Sequence, residues 1–397
     1  MGAFANVQKM VTSSLGNWRA AARQGLVNLR TVPGADHVLV TKDNHRFINM
    51  CSCSYLGLNR HPSILAGAMQ ALEREGTMST SVSRARIAPQ LLDETEELMG
   101  RVFNCEVMLT PSCYIASAAV LPLLASGHFT EGHKPLMVFD AQCHFSMSAL
   151  KAQCSDETDV CTCPHNDMEY ILNLCRSHDY VVYICDGAYS MGGNAPIQAL
   201  IELQREHNLF LYIDDSHSIS VQGIHGSGLA RSHYDDLSER TIIVASLAKA
   251  FGATGGAILL GDRHIKEMLT YCGGPLGWSQ MINAPGLGAI KAAAELHLTG
   301  ELEKLQQSLK HVMNHLDKHA PTVNAGNGLP IRVINMGSAD KAIKASVALY
   351  QRGFYCSTVF FPIVAQNNPG IRLMGRANLT DQQLGSFCQA LSEVLPE

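Results

Sequence analysis

The sequence predicts an α/β protein built on a mostly parallel sheet, with a smaller α+β domain towards its C-terminus. Three observations support this fold class. Short apolar runs recur along the central part of the chain, most of them are followed by a stretch with helical periodicity, and 397 residues are too many for one ordinary core. Strands that alternate with helices favour a parallel sheet covered on both faces.

The predicted strands of the large domain share a short and mainly apolar composition. They are VMLT (107–110), LMVF (136–139), YVVYIC (180–185), LFLYID (209–214), TIIVAS (241–246) and GAILLG (256–261). In such sheets, ligands bind beyond the carboxyl ends of the strands. The polar residues that follow these runs are therefore the candidates for a functional site.

Helical periodicity is clearest over 61–76, which ends at Gly76, and over 89–103. A longer helical pattern begins at residue 284 and runs to about His319, where it links to the small domain. The elements predicted for that domain are a strand at 331–336, a helix around 340–352, a strand at 370–375 and a final helix from about Thr380. The predicted domains are an N-terminal arm (1–50), a large domain (51–285) and a small domain (286–397).

Composition and charge exclude several classes of protein. The net charge is −5 and no long run of like charge occurs, so no nucleic-acid surface is expected. No segment has the ~20 apolar residues of a membrane span, and the N-terminus does not read as a secretory leader. The thirteen cysteines are odd in number and dispersed, which predicts reduced thiols and a cytoplasmic protein. Cys161 and Cys163 lack the Cys-x-x-Cys spacing, and no metal site is predicted.

The segment IDDSHS (213–218) ends a predicted strand with two carboxylates and, three residues after Asp214, a histidine. A buried carboxylate needs a cationic partner, which a protonated ring nitrogen would supply. His217 could then hydrogen-bond the same ligand. Alternatively, Asp214 and Asp215 cap the following helix and His217 is an ordinary polar residue.

Lys249 follows the strand at 241–246 and lies among small residues. A lysine in an apolar setting is suited to forming an imine, and Ser246, three residues earlier, could bind a phosphate. Alternatively, Lys249 is a solvated surface lysine.

Two further segments carry candidate ligands. TPSCYIAS (110–117) passes from a strand end into a helix, so the amides of Cys113 and Tyr114 could hold a phosphate. Alternatively, Ser112 merely caps the helix. His144 also follows a strand and could stack on a flat ligand, although taken by itself it is an ordinary loop histidine.

The order and spacing of these motifs resemble the α-oxoamine synthases, which depend on pyridoxal phosphate (PLP). The resemblance extends from about Asn49 to the C-terminus. It is carried by SYLGLNRHP (54–62), HND (165–167), GAYSMGGNAPI (187–197), DDSHS (214–218), GIHGSG (223–228), SLAKAFG (246–252) and GIRLMGRANLT (370–380). Within the family, residues 77–101 and 246–251 are most similar to the branch that makes α-aminoketone autoinducers.

The resemblance implies PLP fold type I (aspartate-aminotransferase-like), with a seven-stranded sheet, and a homodimer with a shared active site. It also implies roles for individual residues. These are Lys249 as the Schiff-base lysine, Asp214 on the pyridine nitrogen, His217 near the ring hydroxyl, His144 stacked on the ring, Ser190 near the ring oxygen, and Ser112, the Cys113 and Tyr114 amides, Ser246 and the partner subunit's Ser279 around the phosphate. Arg372 would bind the substrate carboxylate.

The implied reaction joins an amino acid to an acyl thioester, with loss of CO₂, to give an α-aminoketone. Lys249 would act as the general base, and His144 could assist protonation. Cys53 and Ser54 stand where the family has asparagine, Cys113 replaces a glycine and Pro89 stands where a histidine is expected, so the amino donor stays open. An aminotransferase or lyase on the same fold, including one acting on an S-adenosylmethionine-type amino acid, is the alternative. A silent partner subunit would lack the lysine.

Overall fold

The structure is a computed structural model that describes residues 7–320, 322–361, 363–364 and 368–395, without the side chain of Lys9. Its helices are α1 (Val7–Arg23), α2 (Pro62–Glu75), α3 (Gln90–Phe103), α4 (Cys113–Ala125), α5 (Phe145–Ser148), α6 (Lys151–Ser155), α7 (Met168–Ser177), α8 (Ile197–Glu206), α9 (Arg263–Cys272), α10 (Pro275–Trp278), α11 (Ala284–His297), α12 (Glu301–His319), α13 (Ala339–Gln351) and α14 (Asp381–Val394).

Its strands are β1 (Thr31–Pro33), β2 (Val38–Thr41), β3 (Arg46–Asn49), β4 (Glu106–Thr110), β5 (Leu136–Asp140), β6 (Val160–Cys163), β7 (Val181–Asp186), β8 (Leu209–Asp214), β9 (Thr241–Ser246), β10 (Gly256–Leu260), β11 (Ile331–Asn335), β12 (Phe354–Tyr355), β13 (Ser357–Val359) and β14 (Gly370–Met374).

The chain divides into two compact units. The larger unit comprises residues 56–190 and 194–306, and the smaller comprises residues 1–55, 191–193 and 307–397. The domain boundaries expected from the sequence, after residues 50 and 285, stay a prediction.

The larger unit is organised around a seven-stranded sheet with the order β4-β10-β9-β8-β7-β5-β6. Strand β10 is antiparallel to both of its neighbours, and the other strands run parallel. Six of the seven strands coincide closely with the predicted apolar runs. Strand β6 was not predicted, because this edge strand reads VCTC and is only partly buried, so it lacks the apolar signal.

The core of the larger unit lies on both faces of this sheet. Strands β7 and β8 are buried along their whole length, as expected for strands covered on two sides. Helix α4 packs against the sheet with apolar residues on most of its surface. Helices α2 and α11 approach each other at glycines, since a Cβ on Gly288 would lie 2.2 Å from the carbonyl oxygen of Gly67.

The predicted helical pattern over 284–319 forms two helices rather than one. Helix α11 ends at His297, and α12 begins at Glu301. Between them, the Thr299 hydroxyl donates a hydrogen bond to the Leu296 carbonyl, and Gly300 follows. A side-chain bond to the backbone and a glycine both weaken a helix, which explains the break.

The smaller unit contains two small sheets. The first has the order β1-β2-β3-β12, in which β12 pairs parallel to β3, and the second has the antiparallel order β11-β14-β13. The sequence predicted residues 1–50 as an N-terminal arm. In the structure this arm carries three strands, and β3 also pairs with β12, which comes from the C-terminal part of the chain.

All thirteen cysteines are free thiols, as the sequence predicts. Across the stretches of chain that the structure describes, no helix combines the length and the apolar character needed to span a bilayer.

Candidate active site

The candidate site lies at the carboxyl edge of the seven-stranded sheet. Strands β7, β8 and β9 are parallel neighbours, so Asp186, Asp214 and Ser246 end at the same edge. Asp186 and Asp214 are direct partners in the register of β7 and β8. Strand order therefore gathers residues that are far apart in the sequence.

Lys249 and His217 are in contact at this edge. The Lys249 Nζ atom lies 3.1 Å from Nε2 of His217, which is within hydrogen-bond distance. His217 is buried and Lys249 is half-buried. Lys249 is therefore not a freely solvated surface lysine, and a neutral His217 ring can accept a hydrogen bond from the Lys249 Nζ–H group.

The carboxylate of Asp214 is buried, with 3% of the residue exposed. Its Oδ1 accepts a hydrogen bond from the Ser216 amide at 3.1 Å. Its Oδ2 lies 3.4 Å from both the Cys113 thiol and the Ser146 hydroxyl, which donate to it. Among the described residues, Asp214 forms no ion pair with a lysine or arginine. A buried anion held only by neutral donors fits a cationic ligand group.

His144 lies beside this carboxylate and is exposed. Its Nδ1 lies 2.9 Å from the Ser146 hydroxyl, and its backbone amide donates a hydrogen bond of 2.8 Å to Asp186. The Ser146 hydroxyl thus lies between His144 and Asp214, and it can donate its single proton to only one of them at a time. The sequence analysis selected His144 but not Ser146, although both lie in the segment after β5.

Helix α4 begins at the same edge, directly after β4. Ser112 caps it, because its hydroxyl accepts a hydrogen bond from the Ile115 amide at 3.2 Å. The amides of Cys113 and Tyr114 precede the internal hydrogen bonds of the helix and can bind an anion. Gly256 packs against this turn, since a Cβ there would lie 2.6 Å from the Cys113 nitrogen.

Two further buried carboxyl groups that were not predicted as site residues, Asp186 and Asp215, are neighbours of Asp214 in the sheet and in the sequence, respectively. Burial, together with the nearby charge of Asp214, raises the pKa of Asp186 well above its ordinary value. Burial raises the pKa of Asp215 to about 7. The Asp215 carboxyl group packs closely on two glycines, because Cβ atoms on Gly187 and Gly228 would lie 2.3 and 2.5 Å from its oxygens. Asp186 could have been identified from its position at the end of a buried strand.

These residues fit a phosphorylated pyridine aldehyde such as PLP. Asp214 offers a buried carboxylate to a protonated ring nitrogen, Lys249 offers an amine to an aldehyde, and α4 offers free amides to a phosphate. Ser190 and Ser279 are both half-buried. Within the described residues, neither hydrogen-bonds this group through its side chain.

The predicted substrate residues belong to the smaller unit. Arg372 lies in β14, and its Nε and Nη2 atoms are buried without a hydrogen-bond partner among the described residues. The Cys53 thiol lies 3.9 Å from the Met374 sulfur. Ser54 is buried, and its amide donates a hydrogen bond to the Ser52 hydroxyl at 3.2 Å. Because two of its guanidinium nitrogens have no partner among the described residues, Arg372 can bind an anion.

Comparisons with known proteins agree with this geometry. Residues 45–391 match the model of the aminotransferase class I and II family. The chain is 25% identical to an 8-amino-7-oxononanoate synthase of Alkaliphilus metalliredigens over 92% of each chain. It is 26% identical to the enzyme of that name from Geobacter sulfurreducens over 97% of this chain and 98% of the other.

Solved structures show the same fold. A serine palmitoyltransferase of S. paucimobilis, described with a bound PLP–myriocin aldimine, superposes with a TM-score of 0.84 at 16% identity and 98% coverage of both chains. An 8-amino-7-oxononanoate synthase of Francisella tularensis superposes with a TM-score of 0.71 at 18% identity, covering 87% of this chain and 97% of the other. The predicted fold class is confirmed.

Proposed function

The chain belongs to the aminotransferase class I and II family and is a PLP-dependent α-oxoamine synthase, and from this premise we propose how its site works. The predictions of family and cofactor are confirmed. The reaction is an acyl transfer, in which an amino acid condenses with an acyl thioester, CO₂ is lost and an α-aminoketone forms. The observation that carries the proposal is the buried Asp214 on the same sheet edge as the Lys249–His217 pair.

Each residue at the carboxyl edge of the seven-stranded sheet has a separate role in the proposed reaction. Bound PLP supplies an electron sink for the substrate carbanion. Asp214 would hold a proton on the ring nitrogen, and the hydroxyl of Ser146 and the thiol of Cys113 orient this carboxylate. Lys249 holds the cofactor and, as a free amine, takes the proton from the substrate α-carbon.

The neighbours of Lys249 control its proton and the cofactor's phosphate. His217, 3.1 Å from Nζ, can accept the proton that Lys249 carries away and so return the amine to its basic form. The amides of Cys113 and Tyr114, together with Ser246, would bind the phosphate. Ser190 would lie on the oxygen side of the ring and His144 would cover the ring, as the resemblance to the family implies.

We assign the substrate carboxylate to Arg372. Support comes from the two guanidinium nitrogens that lie buried without a partner, because such a group can pair with a carboxylate in bidentate fashion. Cys53 and Ser54 replace the asparagines of the family and take the place of donor-binding residues. A thiol and a hydroxyl form fewer hydrogen bonds than two amides, so the identity of the amino donor stays open.

We further propose a homodimer in the cytoplasm. Val82, Ile87 and Trp278 of the larger unit are 68, 62 and 70% exposed, and Arg86 lies over the Trp278 ring at 5.1 Å. A second copy of the chain would cover this apolar patch and bring its own Ser279, next to Trp278, to the partner's phosphate. Light scattering that gives the mass of one chain would contradict the dimer.

The cytoplasmic location is supported by the thirteen free thiols, which are suited to a reducing compartment.

Two measurements test the reaction. The purified protein is mixed with candidate amino acids, with and without acyl-CoA, and thiol release is followed. Release that depends on both substrates supports the synthase, whereas exchange with keto acids and no thiol release supports the aminotransferase.

The visible absorbance of bound PLP should disappear in Lys249→Ala and persist in Lys310→Ala, a matched variant of an exposed lysine on α12. An unchanged spectrum in Lys249→Ala would refute the assignment.

A further inference from the structure

Two histidines and a cysteine of the smaller unit cluster between helices α12 and α14. His315 and His319 are four residues apart on α12 and so share one face of the helix. Cys388 of α14 lies opposite them. One ligand atom from each of the three residues lies within 4.8 Å of the other two.

The arrangement of the rings keeps both imidazoles close to the thiol. The His315 and His319 rings have centroids 4.8 Å apart with a tilt of 31° between their planes. His311, one turn before His315, lies 3.5 Å from Asp381 at the beginning of α14. This exposed pair is a second point at which side chains of α12 and α14 approach each other.

We propose that His315, His319 and Cys388 form a zinc site that joins α12 to α14. Two imidazoles and one thiolate are the ligand types that Zn²⁺ prefers, and a three-ligand set leaves a fourth position for water. Zinc bonds to nitrogen and sulfur are about 2.0–2.3 Å long, so binding requires the three ligand atoms, now within 4.8 Å of one another, to move closer by side-chain rotation. The synthase reaction uses none of these residues.

Exposure gives the site a closed side and an open side. Cys388 is 2% exposed, His315 is half-buried and His319 is exposed. Burial raises the pKa of the Cys388 thiol to about 11, so the thiol is protonated when no metal is present. Zn²⁺ would displace this proton to solvent and bind the thiolate, while the ion enters past His319.

Calorimetric titration of the PLP-loaded protein with Zn²⁺ tests the proposal. One ion per chain should bind, and the His319→Ala variant should bind it at least about tenfold more weakly. Since His319 is exposed, this substitution should leave the fold intact. His128→Ala, which removes an exposed histidine of the larger unit, is the matched control and should keep the wild-type affinity.

Cobalt identifies the thiol ligand directly. Co²⁺ in place of Zn²⁺ should give a thiolate-to-cobalt charge-transfer band that is lost in Cys388→Ser and kept in Cys272→Ser, which removes an exposed cysteine. Equal zinc affinity of the wild type and His319→Ala would overturn the proposal. So would a charge-transfer band that survives in Cys388→Ser, or the absence of zinc binding to the wild type.

Discussion

The substitution Asp214→Asn tests the central electrostatic contact of the site. Asparagine keeps the shape of the side chain but removes the charge that pairs with a protonated ring nitrogen. Its amide nitrogen also cannot accept the hydrogen bonds that the Cys113 thiol and the Ser146 hydroxyl donate to Asp214 Oδ2. The variant should therefore bind PLP weakly and turn over slowly.

The burial of Asp214 sets the size of this effect. Because only 3% of the residue is exposed, solvent screens the contact little. Loss of one partner from a buried ion pair costs about 3–5 kcal/mol, and each ~1.4 kcal/mol is a factor of ten. The dissociation constant of PLP should rise by a factor between about 100 and several thousand.

The assay is a titration of the cofactor-free protein with PLP, followed by the visible absorbance of the bound cofactor. Asp215→Asn is the matched control, because Asp215 is the adjacent buried carboxyl group and accepts a hydrogen bond from the Ala230 amide at 2.9 Å. The control should bind PLP within about threefold of the wild type, a difference below 1 kcal/mol. A similarly small change in Asp214→Asn would refute the proposed role of this carboxylate.

Three further predictions concern other parts of the molecule. Arg372→Lys should raise the KM for the amino acid by about 30-fold or more and leave PLP affinity unchanged; a rise in the PLP dissociation constant instead would argue against carboxylate binding. Gly256→Ala places a Cβ 2.6 Å from the Cys113 nitrogen, so it should lower the free energy of unfolding by about 1–3 kcal/mol and weaken PLP binding. The control is Gly16→Ala, because a Cβ at Gly16 has open space around it. Equal unfolding free energies and PLP affinities in the two variants would contradict the close approach of Gly256 to Cys113. Burial raises the pKa of Asp215 from 3.8 to about 7, so its protonated form stabilises the fold at low pH, and this contribution is lost as the pH rises to about 7. In denaturant titrations, the unfolding free energy of the wild type should therefore fall by ~3 kcal/mol relative to that of Asp215→Asn between about pH 5 and about pH 8. A difference between the two proteins that stays constant over this pH range would rule out the raised pKa.

The sequence by itself determined the local elements and the residues that end them. Apolar runs and helical periodicity located six strands of the large sheet, because both signals depend only on neighbouring residues. Lys249 and Asp214 could be selected for the same reason, since each lies at or just after the end of a strand. The break between α11 and α12 was missed because one threonine and one glycine interrupt a pattern that is otherwise continuous.

Tertiary structure decided which of these residues meet. Asp214 and Asp215 are adjacent and chemically alike, yet only Asp214 contacts the Ser146 hydroxyl, 68 residues away, and the Cys113 thiol, 101 residues away. Asp186 joins the site because β7 pairs with β8, and His315 and His319 meet Cys388 because α12 and α14 lie side by side at these residues. Such contacts depend on strand order and helix packing, which arise from long-range burial and leave no trace in the local periodicity of the sequence.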